Sequence, residues 1–449
     1  MRAGYLWLLS FLVFPIVGAP LLKSRAFRGF GLPTRAVLSA GVGAVLLSWT
    51  MTLFALLRLS WGPLLVLVAA AVAFALSLML RGDDGNVPSS RPRGERLGEG
   101  RASTATLLAY GLTTLSVLVA FLATLAGRSS PDLLLFWGPK AQQFAAARTI
   151  DLDFLRAPFR EYLHIYYPPL VTNLFAFPAM IAGRFPWGAA TLTFPLLLGA
   201  TAIGLTGTLR TDSGTAPAAA TAALTTSAMA LLGIHALVAG NADSFLLFFE
   251  IVGLSILVTR TSESTAGKLL AGLFLGGAAA SKVEGLPFVL AAAGIFLLLA
   301  PRRRRPIAGT LLLLIGPAAL SLGTWFAFGA VRKLFYGYQS YGHFFWIHWE
   351  YIPRVLAGFG RAFWKAGYAL PFVVPLVVFL ATRGKSRRVL LPVGIALALT
   401  GFLGFTYLHG EVDPRLWISW SAARVFSPLP ALFGLAAWCS SRTESKEFP

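Results

Sequence analysis

The sequence predicts an all-α polytopic integral membrane protein with about 13 transmembrane helices and an outer loop of interfacial helices. Three observations carry this. The chain is 449 residues long, 56% hydrophobic and 12% charged, where a typical soluble domain is ~25% charged. Apolar runs of about 17–24 residues recur along it, long enough to cross a bilayer. The net charge of +20 is gathered in short clusters between those runs ("KSRAFR", "RPRGER", "RRRR", "RGKSRR"). That placement matches cytoplasmic loops of a membrane protein rather than a nucleic-acid surface, so no nucleic-acid partner is expected. A large soluble all-α core is excluded by the same runs.

The expected spans are roughly 4–21, 36–58, 62–80, 104–126, 187–209, 217–238, 243–259, 267–281, 285–300, 307–330, 366–382, 389–408 and 422–440. Residues 1–449 form one membrane domain: N-terminal helices and a basic loop over 1–103, a core over 104–330, and C-terminal helices over 331–449 with outer loops at 331–365 and 409–421. With the N-terminus outside, the inner loops hold 22 of the 38 lysines and arginines. That bias sets the orientation. In the first span only Arg2 precedes the apolar stretch while Lys23, Arg25 and Arg28 follow it. This is the reverse of a signal peptide, and the span reads as a retained helix. The single cysteine, Cys439, reads as a packing residue, since it can form neither an internal disulfide nor a metal cluster.

Residues 267–300 settle how the charged "SKVEG" turn is accommodated. As one helix they would run about 51 Å against a hydrocarbon core of about 30 Å. They fold instead as a hairpin, with Lys268 and Arg302–Arg305 at the inner ends and Lys282 and Glu284 in the outer turn. Parity places the Asn241–Asp243 turn outside as well. The outer loop 127–186 adds Asp132, Lys140, Glu161 and His164, so three separate segments bring charge to one face. Within that loop Leu133, Phe136, Trp137, Ala141, Phe144 and Ala145 recur at helical spacing, which predicts an interfacial amphipathic helix with Lys140 on its more polar side. Segment 168–183, short and holding Pro178, reads as re-entrant or interfacial. Glu250 lies at mid-helix and calls for a partner; His235 is the candidate.

In the order "PDLLLFWGPKAQQF", "HIYYPPLVTNLFAF", "GNADSFLLFF", "SKVEGLPF", residues 104–330 resemble lipid-linked-sugar glycosyltransferases of the GT-C superfamily. The bacterial branch loosely called RgtA/B/C/D-like is the most similar, and it is related to protein O-mannosyltransferases and aminoarabinose transferases. The resemblance implies a polyprenyl-phosphate-linked sugar donor, a glycan, lipid or protein acceptor, and an active site on the extracytoplasmic side of the cell membrane. Many relatives carry a second acidic residue at the first acidic site; here Asp132 stands alone between Pro131 and Leu133.

Such transfer needs a carboxylate to take the acceptor proton and cations to meet the departing phosphate. The family's acidic residue maps to Asp132, expected as general base, with helix N-capping as its structural alternative. Lys282 and Arg354, with Arg361 and Lys365, are phosphate candidates, Lys282 having the alternative of a snorkelling contact paired with Glu284. Asp243 suits either substrate or a helix cap. Glu284 suits orientation of Lys282 or contact with sugar hydroxyls, and Lys140 suits substrate; His164, Tyr166 and Tyr167 suit a sugar pocket, the tyrosines equally an interfacial belt. Arg415 or Arg424 suits phosphate, Arg415 being preferred, with surface solvation as the plainer role. His343 and His348 are spaced i,i+5, poor for one helical face, so no metal ligands are assigned; a divalent metal remains open as a cofactor. A transporter or flippase, and a non-catalytic envelope-assembly protein, are the rival classes.

Overall fold

The computed structural model describes residues 2–27, 29–80, 103–127, 130–157, 163–235, 240–299, 307–335, 347–364, 369–382, 386–409 and 413–442. These residues are helical with short connections and no strand. The described residues of each expected span are largely helical. Among the described residues seven helices are long and apolar enough to cross a membrane, or eight if Trp349–Trp364 and Ala369–Ala381, bent by 90°, form one broken span. The remaining expected spans are shorter apolar helices, such as Pro63–Met79 and Gly285–Leu299. At 1.5 Å per residue the latter is about 22 Å long.

Local chemistry sets the boundaries. Proline opens Pro63–Met79, Pro414–Val425 and Pro428–Ser440, where its missing N–H costs nothing. Gly183, at φ +73°, closes Leu170–Ala182 in the left-handed conformation that glycine adopts freely. The first span is not one helix: it breaks between Arg2–Ser10 and Val13–Gly18. Its second half crosses Leu32–Leu56 backbone against backbone. A Cβ on Gly43 would stand 1.9 Å from the Phe14 carbonyl oxygen, so only glycine permits that approach. Leu32–Leu56 is the inner column, its apolar window 78% buried, and Thr104–Leu125 is at the rim, 22% buried.

The 34-residue apolar stretch is the hairpin expected, Thr265–Ser281 and Gly285–Leu299. Leu170–Ala182 differs from an interfacial helix. It is 13 residues long and almost wholly buried, about 20 Å of helix enclosed by protein. Its Asn173 amide donates to the Ser48 carbonyl, the Ser48 hydroxyl and the Thr52 hydroxyl at 3.1–3.2 Å. These hydrogen bonds tie it to the central column.

Charge collects at two ends of the bundle. At one end, segments expected on the inner side meet at Asp212, whose side chain is 5% exposed. It accepts from Arg442 at 3.0 Å, Arg388 at 3.3 Å and the Arg260 backbone N–H at 2.9 Å. Arg388 also reaches Glu263 and the Val258 carbonyl, and Trp438 donates to Ser213. Helix Ala242–Leu257 starts at the opposite end, at Asp243, and finishes beside this knot.

Candidate functional site

The second charged end is built from four separated segments. The first is Asp132 and the helix behind it. Residues Leu133–Trp137 form a π-helical turn that runs into Gly138–Ala147, an irregularity often found at functional sites. Asp132 does not cap this helix. It has helical backbone angles and no side-chain cap bond; its own N–H donates to the Ser130 hydroxyl at 3.0 Å. The carboxylate is therefore spare, and Oδ2 accepts from Arg424 Nη1 at 3.0 Å.

The second segment is the Asn241–Asp243 turn. Gly240, at φ +84°, lets it close against the first segment, since a Cβ there would meet Leu133 at 2.7 Å. Asn241 caps the following helix by accepting from the Asp243 N–H, which leaves the Asp243 carboxylate for other work. The third is the Lys282–Glu284 turn. Lys282, in extended conformation where helix Thr265–Ser281 ends, donates to Asp243 Oδ1 and to Glu284 Oε1, both at 3.1 Å. It is 7% exposed, so this lysine is enclosed by protein. Two carboxylates and one ammonium here form a buried triad, costly to desolvate and costly to break.

The fourth segment supplies Arg424. It acts electrostatically on Asp132, Asp243 and Tyr167, and Lys282 acts on Asp132 and Tyr167. The carboxylate proposed from sequence and the lysine 150 residues away thus share one electrostatic environment. Burial raises the Asp132 carboxyl above its usual range; the Arg424 guanidinium opposes that, and the Asp243 charge adds to it.

An aromatic wall flanks this cluster. Trp137 lies 5.8 Å from Tyr167, and His164 lies 4.7 Å from Phe136 and 5.1 Å from Tyr167, centroid to centroid. His164 has φ +47°, uncommon for a side chain of this size. Its ordinary pKa is pushed down to about 4 by loss of hydration and by Lys140, Lys282 and Arg424.

Lys140 corrects the expectation of a polar-side residue. It is 4% exposed, and its ammonium stands 4.4 Å from the Trp137 ring centre. A desolvated cation–π contact returns about 2 kcal/mol, less than the several kcal/mol of burying an unpaired ammonium. Burial accordingly pushes its pKa down to about 7.

Two expected residues fall elsewhere. Arg354 is exposed over Tyr351. Arg415 is paired with Asp413 at 2.9 Å, whose N-cap contact with the Arg415 N–H starts that helix; the pair holds Asp413 down to about 2. None of the contacts among the described residues joins Arg354 or Arg415 to Asp132. Arg424 takes the inward place instead. It lies nine positions on from Arg415, half a turn round the helix at 100° per residue. The local claim of Asp413-Pro414 on Arg415 was the sequence signal that Arg424, not Arg415, is available.

Glu250 is 1% exposed with Oε2 unpartnered; the His235 side chain lies outside the described residues. Glu161, His343 and Lys365 also lie outside them, while His348 pairs with Glu350. Among the described residues no group of three or more His, Cys, Asp or Glu could hold a metal ion.

Around the cluster, six buried polar atoms lack partners among the described residues: Trp137 Nε1, Asn241 Nδ2, Asp243 Oδ2, Ser244 Oγ, Glu284 Oε2 and Arg424 Nε. Buried groups are normally satisfied; seven others without a partner, among them Trp7 Nε1, Asn173 Oδ1 and Arg332 Nε, lie away from the cluster. Compared with protein-family models, with curated proteins and with solved structures, the chain has no match.

Proposed function

We propose that the protein is a membrane glycosyltransferase of GT-C type, crossing the cell membrane about 13 times. It moves a sugar from a polyprenyl-phosphate donor to a glycan, lipid or protein acceptor at the extracytoplasmic face. The observation that carries the reading is a single one. Asp132, free of capping duty, faces Arg424 at 3.0 Å beside the Asp243–Lys282–Glu284 triad, at the end of the bundle away from the Asp212 knot.

In this reading the acceptor hydroxyl loses its proton to an Asp132 oxygen as its own oxygen bonds to the anomeric carbon. The bond from that carbon to the phosphate oxygen breaks, and its electron pair leaves with the phosphate. A carboxylate held above its ordinary range is the stronger base at neutral pH. Arg424, released from Asp132 by the incoming ligand, and Lys282 supply positive charge toward the leaving phosphate. The polar atoms left unpartnered around them offer bonds to sugar hydroxyls.

The test is turnover of purified protein with a panel of polyprenyl-phosphate sugars, wild type against Asp132→Asn. Loss of a general base costs ~10²–10⁴-fold, and the variant should melt near wild type because Ser130 holds the helix start. Unchanged turnover in the variant removes the assigned base. Glu250, buried within a helix with its Oε2 unpartnered among the described residues, favours a second reading, proton-coupled transport. That reading requires proteoliposome flux abolished by Glu250→Gln.

A further inference from the structure

Of the cations around Tyr167 and the aromatic wall, two are already matched by protein: Lys282 by Asp243 and Glu284, Arg424 by Asp132. Lys140 is different. It is 4% exposed, its ammonium lies over the Trp137 ring, and among the described residues no carboxylate is paired with it. It projects from the same helix that carries Asp132. It acts electrostatically on His164, which stands between Phe136 and Tyr167 in a left-handed backbone conformation. Strained residues of this kind are held where a ligand is clamped. The Trp137 indole N–H beside it is also buried without a partner.

We infer that Lys140, with the Trp137 N–H and the His164 edge, seats an anionic group, a phosphate or a carboxylate, borne by the acceptor and distinct from the donor phosphate. This rests on the transferase reading, and it makes the acceptor acidic. A seat of this design discriminates: a neutral acceptor leaves the amine buried and unmatched, an acidic one restores its partner. The aromatic wall then lies along the acceptor between its anion and the hydroxyl presented to Asp132.

The test uses the full chain in zwitterionic nanodiscs, with lysines reductively ¹³C-dimethylated and the Lys140 resonance assigned by its loss in Lys140→Arg. A saturating polyprenyl monophosphate without sugar occupies the donor side, and inorganic phosphate or acetate is then titrated. The seat predicts a saturable shift of the Lys140 resonance and a rise of its titration midpoint, from near 7, by at least one unit. Linkage makes that a tenfold preference of the anion for the protonated amine. In Lys140→Gln the small-anion response of the His164 ring signals disappears, and in Lys140→Arg it persists. If Lys140 responds to the polyprenyl monophosphate and no small anion binds afterwards, it is the donor seat and the inference is overturned. It is equally overturned if neither lipid phosphate nor small anions move the resonance. Because binding is read without turnover, Asp132→Asn should leave the Lys140 response intact, so failure of the seat and failure of the transferase reading are told apart.

Discussion

Replacing Lys282 by methionine removes the one ammonium that bridges Asp243 and Glu284, whose side chains are 1% and 24% exposed. The methylene stem is conserved, so packing is kept and the change is electrostatic. At these exposures solvent screening offers little relief. Breaking a buried pair by deleting one partner costs about 3–5 kcal/mol, most of it from the carboxylate left behind. The melting midpoint should fall by on the order of 5 °C or more. Cys439 is the single cysteine and is fully buried, so a thiol-reactive fluorophore reports unfolding of the detergent-solubilised protein without an added label. The decisive comparison is Lys282→Met with and without Asp243→Asn. If the stranded Asp243 charge is the cost, the double variant should recover a large part of the loss, with a coupling energy of about 1–3 kcal/mol. A single variant within about 1 kcal/mol of wild type, or a double variant no better than the single, refutes the triad as a coupled unit.

Other outcomes follow from the same geometry. The folded His164 takes its proton near pH 4, whereas the unfolded residue does so near 6.5. The unfolded chain therefore binds more protons between those values. Stability should hold above pH 6.5 and fall as pH drops toward 4, and His164→Gln should flatten that slope in melts at stepped pH. Asp212→Asn leaves Arg388 and Arg442 without their shared acceptor; it should cost about 3 kcal/mol yet leave substrate binding at the other end unchanged. Val283 and Glu263 are both exposed, at turns expected on opposite sides. An impermeant maleimide should label Val283→Cys in intact cells and Glu263→Cys only after permeabilisation; the reverse pattern inverts the topology.

What was legible in the sequence was whatever a one-dimensional pattern fixes. The 267–300 stretch was too long for one crossing and too apolar for a loop, so the Lys282 hairpin followed from length alone. Parity then carried Asp243 and Asp132 to the same end, and the structure brings them together there. What was not legible depended on neighbours. Lys140 looked polar because helical spacing reports one helix; its burial comes from Trp137 and the helix packed across it. Leu170–Ala182 read as re-entrant or interfacial from its length; its burial was not legible, because Asn173 finds Ser48 and Thr52 more than a hundred residues away. Arg415 was preferred over Arg424 because both are arginines on one short helix. Only the local Asp413 contact and the half-turn between them decide which faces inward. The Asp132 cap failed because Ser130, two residues earlier, takes that duty.

Helix Ala242–Leu257 carries a mechanical consequence. Its start is tied through Asp243 to Lys282, and beyond its last turn the Val258 carbonyl is tied to Arg388. A rod fastened at both tips resists sliding along its own axis. Any mechanism in which halves of the bundle rock past one another must first unfasten one of those ties, whereas chemistry confined to one rim leaves both in place.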